Sequence, residues 1–412
     1  MSLATAFLNN FETSQRTSTT LKLFPQKLCK STFRPPCVRI RAMSTSASLQ
    51  AAAPAVETTT KPAATERYVA LDAFRGFIMF MLASDALGFG TLQNDPRWHR
   101  VASWCDHVPW TGAVFWDLIQ PSFMFMVGVA MPFALARRRE RGATAKQDLQ
   151  HVAWRALKLI LFSQFLIIAV DGMRFQLINV LSQIAFTYFL TYLILQLEFR
   201  WQVAAAAGLL VFHSALFFLF PGPDGAFSMT GNIGQRIDKA ILGYNYDGYY
   251  VTINFISSTV TTLFGAWVGS LLRSQRPRRA KLTILAISAV AALAAGLALS
   301  PVIPNVKRIW TASWTFYSTG WVLLMMLAFI LLVDVWGWKK AVFPLIVVGM
   351  NSIFIYSLGF LARGAADHLV RSFSGGFQFV GALAPVAQSC AVMLVFWYLC
   401  YFLYKHKIFL KV

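Results

Sequence analysis

Two stretches close together in the chain hold the side chains best suited to moving a proton. The first reads Trp104-Cys105-Asp106-His107-Val108-Pro109-Trp110-Thr111-Gly112, and the second Phe115-Trp116-Asp117-Leu118-Ile119-Gln120-Pro121. An imidazole changes charge near neutral pH, so His107 suits a group that takes a proton from a hydroxyl or amine and returns it. Asp117 would orient that ring or bind substrate; capping the helix that begins there is the alternative. Asp106 is adjacent to His107, and Trp110 would face a substrate or belong to a belt of interfacial tryptophans. Asp85 stands near the far end of the first apolar segment without a basic neighbour. A lone carboxylate there is costly to keep charged and suits a proton carrier.

Other polar residues interrupt apolar sequence in ways that need a reason. Asp72 and Arg75 lie three apart, hence on one helix face, where they neutralise each other or line a polar site. Arg155 and Lys158, following the basic run Arg137 to Arg141, could hold the phosphates of a nucleotide-bearing donor such as coenzyme A, or lipid headgroups. Gln183, Asn254 and Asn351 place amides inside apolar helices, as interhelical hydrogen-bond partners or as a polar cavity wall.

The elements that position these residues must be membrane helices. The chain has 412 residues, 57% hydrophobic and 13% charged, with a mean hydropathy of +0.55, too apolar for a soluble domain. Spans of about 20 apolar residues fall near 73–92, 113–135, 153–171, 177–198, 203–220, 252–272, 281–302, 313–335, 342–361 and 384–404. The expectation is therefore an all-α polytopic bundle of about ten helices. Basic clusters follow the second, fourth, sixth, eighth and tenth segments, so one side collects them and both termini lie on that side. The formal charge of +20 is explained by this bias, and no nucleic-acid partner is expected. Five cysteines, Cys29, Cys37, Cys105, Cys390 and Cys400, show neither a CxxC pair nor metal spacing, so no metal or disulfide framework is expected. Residues 1–66 are rich in Ser, Thr and Ala, basic, and without a long apolar run. They read as a transit peptide and linker, pointing to a plastid membrane, and residues 67–412 as the membrane domain. A mitochondrial or endomembrane address is the alternative.

Several motifs carry a family resemblance. LDAFRG from 71, DHVPWTG from 106, FWDLIQPSFMFMVGVA from 115, VAWRALKL from 152 and VLSQIAFTYF from 180 resemble the membrane domain of the heparan-alpha-glucosaminide N-acetyltransferase family and its bacterial relatives. IDKAILG from 237, TINFISSTVTTLFGAWVG from 252, GMNSIFIY from 349 and the closing YKHKIFLKV continue the likeness in order. The resemblance implies a multi-helix acyltransferase carrying an acetyl group from acetyl-CoA on one side to an acceptor on the other. The family's histidine matches His107. Its asparagine at the outer end of the preceding helix falls close to Asp85, and its Gln-Arg step is here Ser182-Gln183. The animal enzyme's lumenal domain has no counterpart, which leaves heparan sulfate outside the expected substrates.

The reading that follows is a membrane acetyltransferase with His107 as general base or acyl carrier, assisted by Asp85 and Asp117. Arg155, Lys158, Arg75 and Asn351 would hold the donor. Asp72, Asp106, Trp110, Gln183, Asp238 and Lys239 would shape the acceptor site, with a small molecule, the bilayer and a second copy in a homodimer as partners. Two rivals use the same fold. One is a cyclase or isomerase working on a lipophilic metabolite through Asp85, Asp106 and His107 without coenzyme A. The other is a small-molecule transporter.

Overall fold

A computed structural model describes residues 68–173 and 175–410. The leader expected over residues 1–66 lies outside the described residues. Within them the chain is all-α, in the order α1 (Val69–Ser84), α2 (Ile119–Glu140), α3 (Ala145–Asp171), α4 (Val180–Ile194), α5 (Phe199–Leu219) and α6 (Phe255–Arg273), followed by α7 (Arg278–Leu299), α8 (Ala312–Phe329, continued by a π-helical turn over Ile330–Val335), α9 (Phe343–Met350), α10 (Ser352–Leu361) and α11 (Ala384–Lys405). Seven of these are long and apolar enough to cross a membrane: α2, α3, α5, α6, α7, α8 and α11. The bent pair α9 and α10 makes an eighth if taken as one span. Helices α1 and α4 are shorter, at 16 and 15 residues. All ten apolar segments read from the sequence fall on helices, and the chain is a multi-pass membrane protein.

Two expectations about individual segments change. The first helix, expected to reach residue 92, stops at Ser84 because Asp85, Ala86 and Leu87 all have positive φ, a run that no right-handed helix accommodates. The ninth segment, expected as one helix over 342–361, is broken at Asn351 and bent by 81°. A Cβ on Gly76 would strike the Leu345 carbonyl, and one on Gly349 the Asp72 carbonyl, so α9 packs on α1 in close backbone contact. Beyond the break α10 goes on toward the far side, where Gly359 approaches Ala83.

Helices α2 and α6 meet backbone to backbone in the same way. Gly128 of α2 lies against the Thr262 carbonyl, while Gly265 and Gly269 of α6 lie against the Phe125 and Val129 carbonyls, with no room for a Cβ at any of the three. Small residues four apart let two membrane helices meet backbone to backbone, which replaces the hydrophobic drive that lipid does not supply.

At the basic face Arg138 donates to Asp148 at 2.6 Å, and Arg139 approaches the same carboxylate at 3.6 Å. On the far face the loops tie one another down. Gly112 N–H donates to the Asn305 carbonyl at 2.9 Å, Trp110 Nε1 to the Phe227 carbonyl at 2.9 Å, and Arg308 to the Gly248 carbonyl at 2.7 Å. Three loops distant in sequence thus form one layer over the helix ends.

Candidate functional site

That layer fixes His107. Its Nδ1 lies 2.7 Å from Asp117 Oδ1, and Asp117 is only 1% exposed while His107 keeps 38% of its side chain open. Asp117 sits in the single 3₁₀ turn Phe115–Leu118 that starts α2. Its second oxygen accepts from the backbone N–H groups of Val108 and Val114, each at 3.4 Å. The carboxylate therefore holds both the imidazole and the loop that carries it.

A third group completes the cluster. Lys307 Nζ lies 3.3 Å from Asp117 Oδ1 and 3.2 Å from His107 Nδ1, with its side chain 6% exposed. Since Asp117 is the nearer partner and an acceptor, Nδ1 carries its proton toward it, and Lys307 donates to the same carboxylate. Nε2 is then the ring nitrogen with a lone pair. Buried ammonium and carboxylate compensate each other, which is the condition for keeping either charge out of water.

His107 and Lys307 line a cavity of about 270 Å³. Its walls are mainly apolar, with Ile78 and Leu82 from α1, Trp116, Ile119 and Phe123 from the start of α2, and Phe360 from α10. Gln183 of α4 lines it as well: Gln120 Nε2 donates to Gln183 Oε1 at 2.5 Å, and Gln183 Nε2 to Ser258 Oγ at 2.9 Å. A second hollow, of about 400 Å³, opens between α1 and α2 toward the basic face and includes Asp72, Arg75, Arg137 and Arg273. Ile78 lines the first and Arg75 the second, three residues and ~4.5 Å of rise apart along α1.

The structure brings together His107, Asp117 and Gln183, and separates the rest. Asp85 is exposed in the left-handed turn after α1 and does not line the cavity. Asp106 is exposed and accepts from the His107 N–H at 2.7 Å, so it shapes the turn beside the imidazole. Trp110 is spent on the Phe227 carbonyl. Asp238, 2% exposed, accepts from the Thr252 N–H at 2.9 Å, and its burial raises the carboxyl above the usual range. Lys239 is exposed in the last turn of the short helix Ile233–Leu242 that also carries Asp238.

The four expected donor residues do not converge. Arg155 lies over the Tyr188 ring at 4.9 Å and Lys158 is exposed beside Trp154. Asn351 clamps the C-terminal strand of chain, donating to the Ile408 carbonyl at 3.2 Å and accepting from the Leu410 N–H at 3.1 Å. Only Arg75 faces a hollow, where it pairs with Asp72 at 3.0 Å and donates to the Gly349 carbonyl at 2.7 Å.

Sequence reasoning missed Lys307, along with Tyr356 and Phe360, which enter the cavity through the bend after Asn351. The available signal for Lys307 was its side: a basic pair, Lys307-Arg308, in a short far-side connection where few bases are expected.

Fold and cavity thus define a polytopic helical membrane protein whose far side holds a buried ion pair beneath a partly open imidazole. No family model matches the chain. Human heparan-alpha-glucosaminide N-acetyltransferase is 23% identical over 426 residues, covering 84% of this chain and 60% of that protein. The relationship is distant, and the chain spans under two thirds of that relative's length.

Proposed function

We propose that this protein is a transmembrane acyltransferase that moves an acetyl group from acetyl-CoA to a hydroxyl or amine of a small acceptor. The observation that carries the reading is the His107–Asp117–Lys307 cluster at a largely apolar cavity, together with the distant relationship to an N-acetyltransferase. In the transfer, Nε2 of His107 takes the proton from the acceptor as its oxygen or nitrogen bonds to the acetyl carbon. The carbon–sulfur bond breaks, and the departing thiolate recovers the proton from His107, so the products are acetylated acceptor and free thiol. Asp117 stabilises the transient imidazolium, and Lys307 keeps Asp117 from taking the proton itself. Arg137 and Arg273, with Arg75 beside them, are the groups in the basic-face hollow suited to donor phosphates. The two hollows lie close together along α1, and a thioester arm passing from one to the other would follow that helix. Residues 1–66 act in this proposal as a plastid address, which a fluorescent fusion of those residues would reveal by its location.

The test uses purified protein in lipid nanodiscs with radiolabelled acetyl-CoA and a metabolite extract, comparing the parent with His107→Gln. Labelled product from the parent alone supports the reading, and equal labelling from both refutes it. Label retained on the parent protein before acceptor is added would mark an acetyl-imidazole intermediate in place of direct transfer.

A further inference from the structure

We infer that the acceptor is a compact, apolar-bodied molecule whose nucleophile is uncharged at neutral pH, a hydroxyl or aromatic amine, in preference to an alkylammonium or a saccharide. The inference rests on the acetyltransferase reading of this cavity and narrows it to a ligand class. Size comes first. About 270 Å³ lies just below the ~300–1,000 Å³ of sites for drug-sized ligands, which fits a single fused ring system or a short aliphatic body and leaves no room for a chain of sugars.

The walls decide the second point. Ile78, Leu82, Ile119, Phe123 and Phe360 offer a sugar ring no partners for its hydroxyls, and each hydroxyl buried unpaired weakens binding. The amides that line the cavity are committed to protein partners, which leaves the Tyr250 and Tyr356 hydroxyls, with His107 and Lys307, as the polar groups that face a ligand, too few for the hydroxyls of a sugar ring. Asn179 accepts from the Leu181 and Ser182 N–H groups at 3.0 Å, and Gln183 is held by Gln120 and Ser258.

Charge decides the third. No carboxylate lines the cavity among the described residues, since Asp117 lies behind His107 and is already shared between the imidazole and Lys307. The ammonium of Lys307 is itself a lining group. An alkylammonium approaching Nε2 would be desolvated beside a like charge, whereas a hydroxyl or aryl amine carries no such cost.

Tryptophol and tryptamine share one body and differ at the nucleophile, so they isolate the charge term; glucosamine tests the walls. Binding of each to nanodisc-embedded protein is measured by equilibrium dialysis at neutral pH, with acetyl transfer followed in parallel. Tryptophol should bind more tightly than tryptamine by about tenfold or more, and glucosamine weakest of the three. In Lys307→Met the preference between the two indoles should shrink or invert, and Leu82→Trp, which fills the cavity, should abolish tryptophol binding; gel filtration shows whether each variant stays folded. Tighter binding of tryptamine or glucosamine by the parent, or no binding of any of the three, overturns the inference. Tryptophol binding that behaves as stated but without acetyl transfer to any acceptor would leave the ligand class standing and remove the acetyltransferase reading.

Discussion

Deleting one end or the other of the Lys307–Asp117 pair should have unequal consequences, and deleting both should cost less than the sum of the two single losses. In Asp117→Ala the Lys307 ammonium, 6% exposed, loses its only carboxylate partner among the described residues and faces an imidazole instead. Stranding a buried charge in this way costs ~3–5 kcal/mol, and the loop also loses its two anchors at Val108 and Val114. In Lys307→Met the Asp117 carboxylate keeps the imidazole and both backbone donors, so the loss is one charge-assisted hydrogen bond, ~1.5–3 kcal/mol. The double variant Asp117→Ala/Lys307→Met removes both charges. Its destabilisation should fall short of the sum of the single losses by ~1–3 kcal/mol, the coupling expected of groups in direct contact. Thermal unfolding of all four proteins in one detergent, followed by tryptophan fluorescence, gives the order parent, Lys307→Met, Asp117→Ala, with the double variant close to Asp117→Ala. Strictly additive losses, or Lys307→Met as the least stable single variant, would refute the assignment of a buried, mutually compensating pair.

Asp85→Ala should leave acetyl transfer within about threefold of the parent, as expected for an exposed group outside the reacting geometry; a loss matching His107→Gln would return Asp85 to the site. Gly265→Val should abolish recovery of folded protein, because its side chain meets the Phe125 carbonyl, and size-exclusion chromatography reads this directly. Asp238 has a carboxyl raised by burial, so the folded state holds the proton more tightly than the unfolded one. Its contribution is greatest below the unfolded value near 3.8 and is lost as pH rises toward the folded value. Asp238→Asn should therefore flatten the decline in stability above about pH 4, and an unchanged pH profile would contradict the burial effect. Asn351→Ala should release the C-terminal chain, seen as faster proteolysis after Tyr404, while His107–Asp117 chemistry persists.

Much of the bundle was legible because hydrophobic length is a local property, visible in any window of 20 residues. His107 and Asp117 were legible for the same reason: ten residues apart, they share one far-side turn. Lys307 was not, since it meets Asp117 across 190 residues and only the joining of three far-side loops brings it there. Asp85 misled because the apolar run continues past it, whereas the helix ends one residue earlier on backbone conformation. Arg155, Lys158 and Asn351 misled in another way. Each has the right chemical type for a phosphate or substrate, but a membrane bundle also needs cation–aromatic contacts and amide clamps, and composition does not separate these uses. Gln183 was readable as an amide in the wrong surroundings; its pairing with Gln120 required knowing which faces of α2 and α4 meet.

The glycine-to-carbonyl seam between α2 and α6 bears on how a molecule gets in and out. Two backbones in direct touch have no side chains to reorient, so neither can slide or pivot on the other without a clash, and Asp117 stands at the head of one of these two pinned helices. The opposite wall is built differently: Tyr356 and Phe360 stand on a short helix beyond the bend at Asn351, where side chains rather than backbones meet the space a ligand would cross.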